Sequence, residues 1–152
     1  MRLLIQRSKD ASVTIDGKVN GKIDNGFTVF VGFTHDDNEM ICDKMIDKLL
    51  NLRVFEDEKG LMNLSILDTN GSILSISQFT LYADLSNGRR PSFTTAMNPT
   101  DASRLYDYFN EKIKSLNVHI ETGIFGADMK VKLLNDGPCT FILDSNDIIK
   151  KK

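Results

Sequence analysis

Residues able to do chemistry are few in this chain and unconventionally placed. Its two histidines, His35 and His119, have no serine or cysteine motif beside them. Neither a G-x-S-x-G elbow nor an H-E-x-x-H helix is present. Carboxylates are plentiful but dispersed, so no glycosidase-like pair stands out. Cys139 beside Thr140 offers a thiol, either as a nucleophile or as a small packing residue of a strand, and no histidine is tied to it by sequence. What remains is a polar step inside an apolar run, Ser72–Asp84 (SILSISQFTLYAD). Read as one long strand, it places Leu74 and Ile76 on the same face as Gln78 and Thr80, with Phe79 and Leu81 on the other. Such a row is either an amphipathic strand reaching solvent or a core strand whose far end opens onto a site. At a site, the amide, hydroxyl and backbone groups would need partners other than hydrocarbon. A reaction there draws on backbone groups or on the substrate itself.

Two further stretches carry polar or conformational signals. Asn135–Thr140 (NDGPCT) sets Gly137-Pro138 between two strand-like runs, Met129–Leu134 and Cys139–Leu143. Alone, Gly-Pro here reads as a turn between strands. Asn87–Thr100 is the longest loop-like segment and holds Arg89 and Arg90, the only adjacent arginines. They are either solvated loop side chains or phosphate ligands.

The elements that must position these groups follow from periodicity. Leu3–Arg7 and Ser12–Ile15 read as strands separated by Ser8–Ala11, and Asp16-Gly17 is a hairpin signal. Lys18–Ile23 returns antiparallel, Asp24-Asn25-Gly26 marks a second turn, and Phe27–Thr34 runs apolar on both faces as a central strand. Asp36, Asp37 and Asn38 are cap candidates for a helix over Glu39–Asn51, with Ile41, Met45, Ile46, Leu49 and Leu50 as its stripe and Cys42 at the edge. Arg53–Phe55 is a short strand before an acidic turn. Thr100 or Asp101 caps a second helix ending near Leu116, whose stripe is Ala102, Leu105, Phe109, Ile113 and Leu116. Tyr106 and Tyr108 flank that stripe as packing residues. Val118–Glu121 adds a strand, and the Lys150-Lys151-Lys152 tail is a solvated end or a phosphate contact. The pattern is α+β, a mostly antiparallel sheet with two main helices on one side.

Length and charge bound the function. At 152 residues the chain is one domain, 1–152, with enough surface to bury a core without metals or disulfides. A net charge of −2 argues against a general polyanion binder but leaves room for a local basic patch. Two cysteines without CxxC spacing imply neither a zinc site nor a disulfide framework and fit a reducing cytoplasm. The first apolar run is too short for a signal segment or a membrane span.

Together SQFTLYAD and NDGPCT resemble the D-aminoacyl-tRNA deacylase family, dimeric editing hydrolases that remove D-amino acids from tRNA. The likeness extends in order through LLIQRSKDASVTIDG, NGRRPSF, LYDYF and TGIFGADMKV, covering essentially the whole chain. It implies a β-barrel-like homodimer, without metal or organic cofactor, acting on the 3′ end of aminoacyl-tRNA. Ser77, Gln78, Phe79 and Thr80 would line the aminoacyl pocket, with backbone N–H groups around Phe79 and Thr80 as an oxyanion hole. Thr80 would position the ester rather than attack it, the terminal ribose 2′-hydroxyl assisting. Gly137-Pro138 would be cis, reach into the partner subunit's pocket, hold the substrate amino group and exclude an L side chain, with Asn135 and Thr140 at the family's spacing around it. Glycyl-tRNA would also enter. Phe125 and Met129 would contact the terminal adenosine. Apart from the resemblance, Arg89 and Arg90 are the candidates for contact with the tRNA phosphates. Cys139 departs from the valine of many members while keeping size and apolarity. Two other readings stay open: a non-catalytic RNA- or DNA-binding module, and a small-ester or amide hydrolase using Cys139 or Thr80 as nucleophile.

Overall fold

In the computed structural model, which describes residues 1–149, two long strands set the architecture. β1 (Arg2–Ile15) and β2 (Lys18–Gly32) form an antiparallel hairpin closed by Asp16-Gly17. Both turn residues have positive φ, 49° and 76°, the backbone that matches strand twist across a two-residue connection. The expected division of each arm into two strands is not observed. Ser8–Ala11 is an irregularity within β1, where Asp10 has φ 48° and the register to β7 (Lys130–Asp144) shifts between Lys9 and Ser12. Asp24-Asn25-Gly26 is strand, with Gly26 opposite Ser8. Gly26 is set by contact rather than by a turn: a Cβ there would lie 1.8 Å from the Ser72 carbonyl oxygen.

The five-stranded sheet is ordered β6-β5-β2-β1-β7, with β5 spanning Ser72–Ser77 and β6 Ile120–Thr122. β1 pairs antiparallel with β2 and β7, whereas β2–β5 and β5–β6 are parallel. The sheet is therefore mixed, and the expected mostly antiparallel pattern holds in part, in the two long ladders but not in the two shorter ones. Helix α1 (Glu39–Asn51) lies between β2 and β5, and α3 (Pro99–Ser115) between β5 and β6. A connection long enough to hold a helix returns the next strand in parallel. The sheet is open, with β6 and β7 at its edges, and no barrel closes among the described residues. β3 (Phe55–Glu56) and β4 (Met62–Leu64) form a separate small hairpin, so the strand expected over Arg53–Phe55 sits slightly later. Two short helices, α2 (Ile66–Thr69) and α4 (Ser145–Ile149), add to the two long ones. The triple-lysine end lies outside the described residues.

Asn38 caps α1, its side chain accepting from the Ile41 N–H at 3.0 Å. Helix α3 starts at Pro99 and is capped by Asn98, whose Oδ1 accepts from the Asp101 N–H at 3.0 Å, rather than by Thr100 or Asp101. Proline suits the first helical position because its missing N–H would be unpaired there anyway. Leu116 falls just past this helix and is exposed, not part of the stripe.

The two long helices pack their apolar faces against Leu3, Ile5, Phe27, Val29, Val31 and Ile73 to make the main core. A smaller cluster of Ala11, Val13, Ile23, Leu74 and Ile76, covered by Met129, Val131 and Leu133, occupies the other face. Fully burying each Leu or Ile contributes roughly 1.5–3 kcal/mol. β5 therefore serves both clusters, Ile73 the main core and Leu74 and Ile76 the smaller one. Among the described residues, no helix is long and apolar enough to cross a membrane.

Candidate active site

β5 ends at Ser77, short of the expected Asp84. Ser77 is opposite Val31, and the Gln78 N–H donates to the Val31 carbonyl at 2.8 Å. β2 stops at Gly32, so the chain beyond has no ladder and tightens into a 3-10 turn, Phe79–Tyr82. The alternation expected through Thr80 and Leu81 is lost there. Gln78 and Thr80 still meet, because the Gln78 amide donates to the Thr80 hydroxyl.

The polar step opens onto a cleft of about 260 Å³. Ser77, Gln78 and Phe79 form one wall, and Phe125, Met129 and Val131 the other. Thr80 lies on a neighbouring hollow with Gln6, Phe30 and Gln78, so the turn divides its polar groups between two concavities. Within the turn, Leu81 donates to the Gln78 carbonyl at 3.3 Å and Ala83 to that of Thr80 at 3.0 Å. Among the described residues, the N–H groups of Phe79 and Thr80 donate to nothing in the chain. The head of a helical turn leaves such donors without an internal partner, and here Phe79 stands at the cleft wall and Thr80 at the adjoining hollow.

Arg2 fastens the other end of the turn. Its Nη1 donates to the Leu81 carbonyl at 2.6 Å and its Nε to Asp144 at 2.9 Å, while the guanidinium lies 4.5 Å from the Tyr82 ring centre. Burial, followed by the carboxylates of Asp37 and Asp144, pushes the Tyr82 hydroxyl well above the usual tyrosine range. Asp144 resists the upward push of its own burial; the Asn146 amide and Arg2 hold it below the ordinary carboxylate value.

Gly137-Pro138 is a cis peptide inside one continuous strand, β7, and not a turn between two strands. The Asn135 Oδ1 accepts from the Cys139 N–H at 2.8 Å. The Asn135 and Gln6 amides both donate to the Thr140 hydroxyl, at 2.8 and 3.2 Å. Gly137 has φ 146°, and a Cβ on it would stand 2.9 Å from the Cys139 nitrogen. Gly137 and Pro138 are exposed, whereas Cys139 turns inward. Burial raises the Cys139 thiol, Arg7 opposes the shift and Asp136 adds to it, which makes a poor thiolate.

Sequence reasoning missed Arg7. Its buried guanidinium donates from Nε to the Asp136 carbonyl at 2.9 Å and from Nη1 to the Val54 carbonyl at 2.8 Å. The signal was present, since the period of two in LLIQR sets Arg7 in the same row as Leu3 and Ile5, where a charge requires partners. Gln6, which ties Thr140 to the Thr80 hollow, gave no comparable signal.

The cleft thus gathers Ser77, Gln78, Phe79, Phe125 and Met129. It does not include Asn135, Gly137, Pro138 or Thr140 of the same chain, nor Arg89 and Arg90. The two arginines are exposed in a loop closed by paired Asp84–Ser92 backbone bonds of 2.7 and 3.0 Å. No group of three or more His, Cys, Asp or Glu side chains is placed to hold a metal ion among the described residues.

Residues 4–144 match the family model described as D-Tyr-tRNA(Tyr) deacylase. The D-aminoacyl-tRNA deacylase of Bacillus cytotoxicus is 56% identical over 145 residues, covering 95% of this chain and 99% of the relative. That of Bacillus cereus is 54% identical over 145 residues with the same coverage. Among solved structures, the c-Myc DNA Unwinding Element Binding Protein superposes with a TM-score of 0.89 at 38% identity, covering 95% of this chain and 98% of that one. A probable eukaryotic D-amino acid tRNA deacylase superposes with a TM-score of 0.83 at 16% identity, over 94% and 98% of the two chains, and carries the fold alone. With the match running through both β7 and the Gln78 turn, the chain belongs to the D-Tyr-tRNA(Tyr) deacylase family.

Proposed function

We propose that this protein is a D-aminoacyl-tRNA deacylase that hydrolyses the ester of D-aminoacyl-tRNA, and of mischarged glycyl-tRNA, to free tRNA and amino acid. The observation that carries this reading is the pair of unspent N–H donors at the head of one turn, that of Phe79 at the wall of the cleft and that of Thr80 beside the adjoining hollow. Two such donors suit an oxyanion developing on an ester carbonyl and work without a side-chain nucleophile. The ester is already labile, so positioning and charge stabilisation suffice, with the ribose 2′-hydroxyl of the RNA assisting. Phe125 and Met129 on the facing wall receive the terminal adenosine.

The reading further assigns Gly137-Pro138 to the cleft of a partner subunit, where it holds the substrate amino group and collides with an L side chain. Its support is that the exposed Gly-Pro lies outside the cleft of its own chain. A homodimer is supported by the apolar row Phe30–Leu4–Ile142 across β2, β1 and β7, in which Ile142 is 69% exposed. Action on tRNA fits a cytoplasmic protein that needs no metal.

The test is release of the amino acid from D-tyrosyl-tRNA and L-tyrosyl-tRNA in parallel. Release from the D form alone supports both enzyme and filter, release from both leaves an esterase without the filter, and release from neither overturns the proposal. The 38% identity to a protein named for DNA binding favours one second reading, a non-catalytic nucleic-acid module. Salt-dependent binding without ester turnover would be its signature.

A further inference from the structure

Phe79 and Phe93 form an exposed aromatic pair, ring centres 4.9 Å apart and planes inclined at 56°. Phe79 is 55% exposed and Phe93 40%. Two large rings left together in water mark a surface with an occupant. Their position indicates which occupant. Phe79 also lines the cleft, so the pair stands on its rim. Phe93 directly follows the Asp84–Ser92 closure of the hairpin loop that carries Arg89 and Arg90. Two residues separate Arg90 from Phe93, which keeps their Cα atoms within about 11 Å. Both arginines are exposed, and neither makes an ion pair among the described residues.

We infer that Phe79 and Phe93 are a stacking platform for the penultimate, unpaired nucleotide of the RNA 3′ end, with Arg89 and Arg90 meeting the phosphates that lead to it. This rests on the deacylase reading of the cleft and extends it by one nucleotide. Aromatic faces stack any base without reading its edge, and adjacent cations track the backbone, the combination used to hold single strands. A second copy of the chain fits the platform poorly. A two-fold contact centred there would bring the arginine pairs of both copies together.

The experiment compares D-tyrosyl-tRNA with 3′-(D-tyrosyl)adenosine, which lacks the penultimate nucleotide, for wild type, Phe93→Ala, Phe93→Leu and the double variant Arg89→Ala/Arg90→Ala. Loss of one stacked base predicts a KM for the tRNA raised roughly 5- to 150-fold in both Phe93 variants. Their kcat/KM for the adenosine ester stays within about twofold of wild type. The double arginine variant raises the KM for tRNA and flattens its dependence on salt. Equal losses on both substrates, no loss on either, or a Phe93→Leu protein as good as wild type would each overturn the platform. So would conversion of a wild-type dimer to monomer by Phe93→Ala in sedimentation. A wild type inert towards both esters removes the deacylase reading instead. Binding of the trinucleotide CCA, weakened or not by Phe93→Leu, then decides the platform by itself.

Discussion

The Nε of Arg7 donates to the carbonyl of Asp136 at 2.9 Å, so a buried cation on β1 supports the peptide that leads into Gly137. The same guanidinium reaches the Val54 carbonyl at 2.8 Å and thereby ties the Gly-Pro segment to the chain before β3. Replacing Arg7 by Met keeps the apolar stem and leaves two carbonyls without a donor. The expected loss is about 2–4 kcal/mol, read as a lower urea midpoint. On the proposed function, the ratio of D to L turnover falls as well. An unchanged midpoint would remove Arg7 as the support of this segment.

Gly137 tests the same segment from its own backbone. With φ at 146° and a Cβ brought within 2.9 Å of the Cys139 nitrogen, Gly137→Ala must displace the strand locally. A penalty of about 1–3 kcal/mol is expected, together with loss of discrimination between D- and L-tyrosyl-tRNA. Retained stability and retained discrimination together would show that the position tolerates a side chain.

Thr80 separates a positioning role from a nucleophilic one. Its hydroxyl accepts from Gln78, and it borders the neighbouring hollow rather than the main cleft. Thr80→Val keeps the backbone N–H and the shape, so kcat on D-tyrosyl-tRNA should fall by less than about tenfold. A loss beyond roughly 10³-fold, more than a removed oxyanion donor typically costs, would restore Thr80 as the attacking group.

The thiols give a pH signature. Burial, then Asp37 and Asp43, push the Cys42 thiol up to about 12 from 9.0. Below pH 9 the thiol is protonated in both folded and unfolded chains and adds no pH dependence. Between pH 9 and about 12 only the unfolded thiol ionises, so stability falls as pH rises, by up to about 1.4 kcal/mol per pH unit. The raised hydroxyls of Tyr82, Tyr106 and Tyr108 add a slope of the same sign at higher pH, so denaturant titrations should show a shallower fall in Cys42→Ala than in wild type, with the difference opening from pH 9. Below pH 8, neither Cys42 nor Cys139 should alkylate readily in the folded protein, and Cys139→Val should remain active. Inactivation by iodoacetamide at Cys139 would favour the thiol-hydrolase alternative.

Much of this architecture was written in local patterns. Asn38, the Met45–Ile46–Leu49–Leu50 stripe and Asp16-Gly17 each state their structure within a few residues. Contacts distant in sequence were illegible. Gly26 looks like a turn residue, yet its glycine is demanded by Ser72, and the parallel pairing of β5 with β2 is decided by where α1 sends the chain. The candidate site divides in the same way. Ser77, Gln78 and Phe79 announce themselves as a polar break in an apolar run, but the end of that strand at Ser77 depends on the end of β2. Phe125 and Met129 look like core residues until the fold brings them across the cleft. Arg7 shows in the sequence only as a charge in a buried row, its partners being far along the chain, and Phe93 gains meaning only beside Phe79.

β5 lies between two apolar clusters, and the Phe79 turn lies just past the end of its ladder. Amide hydrogens of Ile73–Ile76 should therefore exchange with solvent deuterium only when the whole molecule opens. Those of Phe79 and Thr80, bonded to nothing among the described residues, should exchange almost at once. A boundary between the slowest and fastest exchanging backbone thus falls within three residues, around Gln78. The unspent donors ride on one of the least deformable strands of the molecule, so the cleft wall keeps its shape at no further cost in ordering when a substrate arrives.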